Sequence, residues 1–186
     1  HYDEAWHRMK LSQKSKDIFT EFCEICISKK DRIIRFNRML YLGDIKELQN
    51  TAKEISDEYL LLAKIAQKLD ENTRVSSLDF NKIEPYLGNN SSFHYLKIKW
   101  LVEKGSTKDA YEYFNKYKNT INISNPVLWA VQSEILGRRL ISQKKYREAY
   151  EVMTIDPKQK NQIFANLEFL KGWIALRIFL DRPRAV

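Results

Sequence analysis

Two cysteines, three histidines and scattered carboxylates are the residues of this chain that could do chemistry. Cys23 and Cys26 form a C-x-x-C pair. A redox pair of this kind follows a strand, whereas Phe19 to Ile27 reads as an amphipathic helix. A structural zinc ion would need two more ligands, and there is no second cysteine pair. Both thiols are therefore expected to pack as small hydrophobes, with no metal site. His1, His7 and His94 lie in unrelated contexts. His94, among Phe93, Tyr95 and Leu96 near a helix start, reads as a packed or capping residue, not a ligand. There is no H-E-x-x-H, no glycine-rich phosphate loop and no G-x-S-x-G elbow. Asp57 and Glu58 open a helix, where they complement its dipole. Tyr111, Tyr113, Tyr117, Trp100, Trp129 and Trp173 could stack sugars or bases, but most fall on helix stripes and read as core. The residues alone thus point to no catalytic constellation and no cofactor.

The elements that would position these groups are helical. The chain has 186 residues, with 32 Lys+Arg against 24 Asp+Glu, a formal charge of +8. That length can bury roughly two-thirds of its unfolded surface as one domain or one extended array. Hydrophobic residues at 44% and charged residues at 30% are globular values and argue against disorder. Five glycines and four prolines argue against turn-rich sandwiches and barrels. Two cysteines make no disulfide framework. The positive charge comes as single lysines and pairs such as Lys29-Lys30 and Lys144-Lys145, a solvated surface rather than a nucleic-acid site. From His1 onward no targeting signal is legible. The longest apolar tract, Phe164 to Leu180, is broken by Asn166, Glu168, Lys171 and Arg177. It reads as a buried helix, not a membrane span.

Leu62, Ile65, Ala66 and Leu69 fall at i, i+3, i+4 and i+7, and so do Ala110, Tyr113, Phe114 and Tyr117. Asn125 before Pro126 reads as an N-cap opening a helix to about Ser142, with Leu128, Val131, Ile135 and Leu136 as its buried stripe. Gly137 inside that helix costs about 1 kcal/mol relative to alanine and implies close approach of a neighbour. A last long helix is expected from about Gln162 to Phe179.

A repeat runs through these helices. Leu101 is followed nine residues later by Ala110, Leu140 by Ala149, Leu176 by Ala185, and Met39 likewise by Leu48. Each pair flanks a turn: Gly43-Asp44, Lys104-Gly105-Ser106, Gln143-Lys144-Lys145 and Asp181-Arg182-Pro183. From Met39 to Leu101, Leu140 and Leu176 the steps are 62, 39 and 36 residues. Periods in the thirties mark stacked helix–turn–helix units of tetratricopeptide-like solenoids. The long first step places an irregularity at residues 71–90. The expected fold is all-α, a right-handed α-superhelix spanning 1–186 as a single domain.

The C-terminal third then becomes specific. Ala165 to Arg177 (A-N-L-E-F-L-K-G-W-I-A-L-R) resembles the "A-D-x-E-W-L-A-G-W-I-A-L-R" stretch of soluble lytic murein transglycosylases. Phe179 to Val186 resembles the turn and helix start that come next. Trp129 to Met153 is similar to the preceding helix pair, with its "A-R-R-A-L-x-x-G-x-Y-x-x-A-Y" pattern. Arg35 to Gly43 (R-F-N-R-M-L-Y-L-G) resembles the early "R-L-D-R-L-L-W-x-G" segment. These stretches follow family order, weakest between Glu71 and Asn90. Phe169 stands where the family has tryptophan, Lys171 where it has alanine and Lys144 where it has glycine.

The resemblance implies an N-terminal superhelical scaffold in the periplasm, followed by a lysozyme-like catalytic domain. That domain cleaves the MurNAc-β-1,4-GlcNAc bond of peptidoglycan and leaves 1,6-anhydro-MurNAc ends. Its glutamate-serine motif has no counterpart in these residues, so this chain alone is expected to be inactive. Partners would be that catalytic domain and the glycan strand, with no nucleic acid and no membrane span. The competing expectation is a stand-alone helical-repeat module that binds a protein or peptide.

Overall fold

The computed structural model of the protein describes residues 27–118, 126–154 and 161–179, together with residues 14, 15, 18 and 21. Among these residues lie ten helices and no strand, so the chain is all-α. In order they are α1 (Lys29–Leu42), α2 (Ile45–Lys53), α3 (Asp57–Asp70), α4 (Ser77–Asn81) and α5 (Glu84–Leu87), then α6 (Ser91–Glu103), α7 (Thr107–Tyr117), α8 (Pro126–Ser142), α9 (Tyr146–Val152) and α10 (Gln162–Arg177). They fall into two units, His1–Gly88 and Asn89–Val186. The division lies within the segment 71–90 that interrupts the sequence repeat.

Three helix pairs turn in the same way. After α1 the N–H of Gly43 donates to Leu40 O and that of Asp44 to Met39 O, at 3.3 and 3.1 Å. After α6 Gly105 donates to Val102 O and Ser106 to Leu101 O, at 3.1 and 3.2 Å. After α8 Lys144 donates to Ile141 O and Lys145 to Leu140 O, both at 2.9 Å. This paired closure requires a left-handed residue just past the helix end. Gly43, Gly105 and Lys144 supply it, with φ of 68°, 81° and 62°. The next residue, Asp44, Ser106 or Lys145, opens the returning helix. Five residues after the closing carbonyl the chain has therefore reversed, and the ninth residue comes back beside the starting helix. Met39 with Leu48, Leu101 with Ala110 and Leu140 with Ala149 are all buried. The repeat seen in the sequence is the register of this turn.

In the first unit α1 packs on α2 and α2 on α3. Ser28 caps α1, accepting from the N–H of Asp31, whose carboxylate accepts from the N–H of Ser28 at 2.9 Å. Arg35 is buried in α1 and donates through Nη2 to Glu47 Oε1 of α2 at 2.9 Å. Removing one partner of such a buried pair costs about 3–5 kcal/mol, because the other charge is stranded. Phe36 meets Tyr59 of α3 edge-on at 5.0 Å. The stripe Leu62, Ile65, Ala66 and Leu69 is buried as expected, each large member contributing about 1.5–3 kcal/mol.

In the second unit α8 runs from Pro126 to Ser142, the bounds expected from sequence; Asn125 lies outside the described residues. Its buried face differs from the expectation. Leu136 is inside, but Val131 and Ile135 are exposed and Leu128 is half-buried. The inner arc is Trp129, Ala130, Gln132, Ser133, Leu136, Gly137 and Leu140. Four neighbours, α6, α7, α9 and α10, contact α8, and close approach selects small residues rather than the most apolar ones. Ser133 donates its hydroxyl to Val152 O of α9. At Gly137 a Cβ would lie 2.8 Å from Met153 Cγ, so the glycine admits a fully buried methionine.

α10 ends at Arg177, two residues before the expected Phe179. It is also not the fully buried helix the apolar tract suggested. Phe164, Leu167, Ile174 and Ala175 are inside, whereas Phe169, Trp173 and Leu176 are exposed. Among the described residues no helix is long and apolar enough to cross a membrane.

A left-handed non-glycine residue costs about 1–2 kcal/mol. Lys144→Gly should therefore raise the unfolding free energy by about 1 kcal/mol in urea titration. An unchanged or lower midpoint would contradict the turn geometry.

Candidate functional site

The polar groups brought together in the second unit are side chains that tie helices to one another. α6 starts at the N-cap Asn90, whose carboxamide oxygen accepts from the N–H groups of Ser92 and Phe93 at 2.9 and 3.2 Å. That start sets His94 on the side of α7. His94 is 1% exposed, and its Nδ1 lies 2.6 Å from Tyr113 Oη. Its ring packs 4.2 Å from Tyr117 and 5.3 Å from Phe93. Lys97 sits over the rings of Phe93 and Tyr113 at 5.5 and 5.1 Å, a cation–π arrangement. This is a packed histidine in an aromatic cluster, with the Tyr113 hydroxyl at its Nδ1.

A second group lies between α6 and α8. Burial pushes the Tyr95 hydroxyl up to about 12, helped by the charge of Glu103 and opposed by the Gln132 side chain. Burial also raises the Glu103 carboxyl, against the pull of Lys99 at 3.6 Å. Gln132 is buried and its Oε1 has no hydrogen-bond partner. A third group joins α7 to α9. Tyr111 Oη donates to Glu151 Oε2 at 2.7 Å, and Lys118 Nζ donates to the Glu151 carbonyl at 3.4 Å. The hydrogen bond to Glu151, then burial, raises the Tyr111 hydroxyl to about 12.

Tyr95 and Tyr111 stay protonated far above neutral pH, so neither is a base near pH 7. Glu103 is followed by Lys104 and Gly105, not by serine. Among the described residues no group of three His, Cys, Asp or Glu side chains could hold a metal ion. Cys23, Cys26, His1 and His7 lie outside the described residues. Asp57 and Glu58 do open α3, and the Ser56 hydroxyl and the backbone hold the Glu58 carboxyl below its usual range.

The aromatics singled out by sequence divide. Trp100 and Trp129 are buried, and Tyr111, Tyr113 and Tyr117 are half-buried. Trp173 is exposed, 6.5 Å from the ring of Tyr146 on α9. Tyr150 lies 5.8 Å from Phe179. Exposed or half-buried, these four rings give the α9–α10 edge an aromatic surface. Apolar periodicity alone pointed inward at Trp173; Phe169, four residues earlier on the same stripe, is exposed with it.

Comparison with protein-family models, curated proteins and solved structures finds no match.

The Tyr111–Glu151 bond gives a pH-dependent test. A raised hydroxyl favours the folded state below the unfolded tyrosine range near 10 and loses that advantage between about 10 and 12. Tyr111→Phe should cost about 1 kcal/mol at pH 7, and the gap to the parent should close as pH rises through that window. A gap that stays constant in alkaline urea titrations would contradict the bond.

Proposed function

We propose that this chain is the non-catalytic helical scaffold of a lytic transglycosylase. In this reading its helix pairs continue as a right-handed, tetratricopeptide-like α-superhelix in the periplasm. A lysozyme-like domain of the same protein would cleave the MurNAc-β-1,4-GlcNAc bond of peptidoglycan and leave 1,6-anhydro-MurNAc ends. The scaffold would hold that domain and restrict how a glycan strand enters it.

The observation that carries this reading is the ordered sequence resemblance from Arg35 to Val186. Support comes from where the resembling stretches fall. Arg35 to Gly43 covers the later part of α1 with its turn, Trp129 to Met153 the α8–α9 pair, and Ala165 to Arg177 most of α10. The arginine and glycine that bound the first stretch have distinct jobs: Arg35 pairs with Glu47, and Gly43 makes the left-handed turn. At Lys144, where the family has glycine, the backbone is left-handed all the same. The chemistry of the catalytic domain would need one glutamate that first protonates the leaving oxygen and then acts as base, while the muramyl 6-hydroxyl attacks its own anomeric carbon. That differs from two-carboxylate glycosidases, in which water completes hydrolysis.

A second reading, a stand-alone module that binds a protein or peptide, is favoured by the exposed apolar side of α10. Reading the coding sequence past Val186 separates the two. A lysozyme-like domain with a glutamate-serine motif is expected; a stop codon or further repeats would support the module. The 186-residue chain should leave the turbidity of murein sacculi unchanged, and clearing by this chain alone would overturn the scaffold reading.

A further inference from the structure

The start of α6 and the end of α7 meet at the end of this helix pair opposite the Gly105 turn, and a titratable group is sealed between them. His94 is buried, with Tyr113 Oη 2.6 Å from its Nδ1 and the Tyr117 ring 4.2 Å from its own. Tyr113 and Tyr117 stand one turn apart with rings 4.7 Å from each other, so the last turn of α7 rests on one imidazole. The charges placed on the rings of this cluster are cations. Lys97 of α6 lies over Phe93 and Tyr113 at 5.5 and 5.1 Å, and Lys116 of α7 lies over Tyr117 at 5.0 Å. The carboxylates of the surrounding helices are engaged by other groups. Glu103 of α6 meets Lys99, Asp109 and Glu112 of α7 meet Ser106 and Lys108, Glu134 of α8 meets Arg138, and Glu151 of α9 meets Tyr111. Along the sequence, residues 85–92 and 119–133 carry no charged side chain. His94 also sits in the first turn of α6, at the positive end of the helix dipole.

We propose that His94 is an acid-sensitive latch: as the neutral ring it holds the end of α7 on α6, and a second ring proton releases that end. In the closed cluster Nδ1 accepts the hydrogen of the Tyr113 hydroxyl. A proton added at Nδ1 turns that nitrogen into a donor, so Tyr113 must rotate its own hydrogen away. The added charge also joins Lys97 and Lys116 on ring faces that those two cations already use. Opening the pair returns the imidazolium to water, so acid favours the open form. The sign follows from linkage. A histidine in the unfolded chain takes up its proton near its ordinary value of about 6.5, and the closed cluster refuses it. The latch therefore contributes fully above about pH 7, and its contribution is lost progressively as the pH falls below about 6.5. Release reaches α8, because Phe114, in the same stretch of α7, packs against Trp129 at 5.8 Å. This device follows from the packing of the second unit and goes beyond the scaffold reading.

The test uses the whole chain with His1→Gln and His7→Gln, so that one imidazole reports. Its NMR signals should remain those of the neutral ring at about pH 6, where an exposed histidine is mostly protonated. Titration at the ordinary value near 6.5 would overturn the proposal. Urea titrations then compare this chain with one that also carries His94→Phe, which keeps a ring but cannot take a proton. Between about pH 7.5 and 5.5 the unfolding constant of the histidine-bearing chain should rise by about five- to tenfold relative to that variant. Parallel profiles, or a steeper rise in the variant, would overturn it. His94→Gln is the second comparison should His94→Phe disturb folding. Amide exchange corrected for its intrinsic pH dependence locates the release. Acid should speed exchange at Tyr113 to Tyr117 while Leu136 to Leu140 stay protected, and equal acceleration along α6 to α9 would show that no latch exists.

Discussion

In three helix pairs a single left-handed residue sets the register of the helix that returns. With φ positive at Gly43, Gly105 or Lys144, two N–H groups fold back onto the last carbonyls of the helix. The same closure at Asn72 after α3 leads into residues 73–76, whereas at these three turns the next residue opens a helix that packs back on the first. This closure brings Leu48, Ala110 and Ala149 back to face the helices that carry Met39, Leu101 and Leu140. Shifting the turn by one residue would rotate the returning helix by about 100° and carry its apolar face out of contact. Burial supplies the stability of each pair, and the turn sets which residues of the returning helix face its partner.

Within that register the interior is tied by specific polar contacts rather than filled uniformly with apolar groups. Arg35 with Glu47, His94 with Tyr113, Tyr111 with Glu151 and Ser133 with the Val152 carbonyl each join two different helices. A histidine held by a tyrosine and a carboxylate held by a tyrosine each tie two helices together.

Much of the fold was legible because its signals are local. Helix caps, the i, i+3, i+4, i+7 stripe of α3 and the nine-residue repeat all depend on spacing along the chain. The inner face of α8 was not legible, because four neighbouring helices decide it and they favour Ala130, Ser133 and Gly137 over Val131 and Ile135. Close packing rewards small size there, which hydrophobicity does not report. The open side of α10 escaped for the converse reason: an apolar residue announces a preference for burial, not the presence of something to bury it. Of the candidate chemistry, the packing of His94 was readable from its apolar neighbours. Its pairing with Tyr113, nineteen residues away, was not, since nothing local specifies which helix turns back onto it.

The register claim is most directly tested by inserting one alanine between Gln143 and Lys144 and following the unfolding of the chain in urea. If the left-handed turn sets the register, the insertion rotates α9, removes Ala149 and Met153 from the core and lowers the midpoint as severely as a core deletion, by about 3 kcal/mol or more. A midpoint and slope equal to those of the parent would show that α9 finds its place without the turn, and would contradict the account.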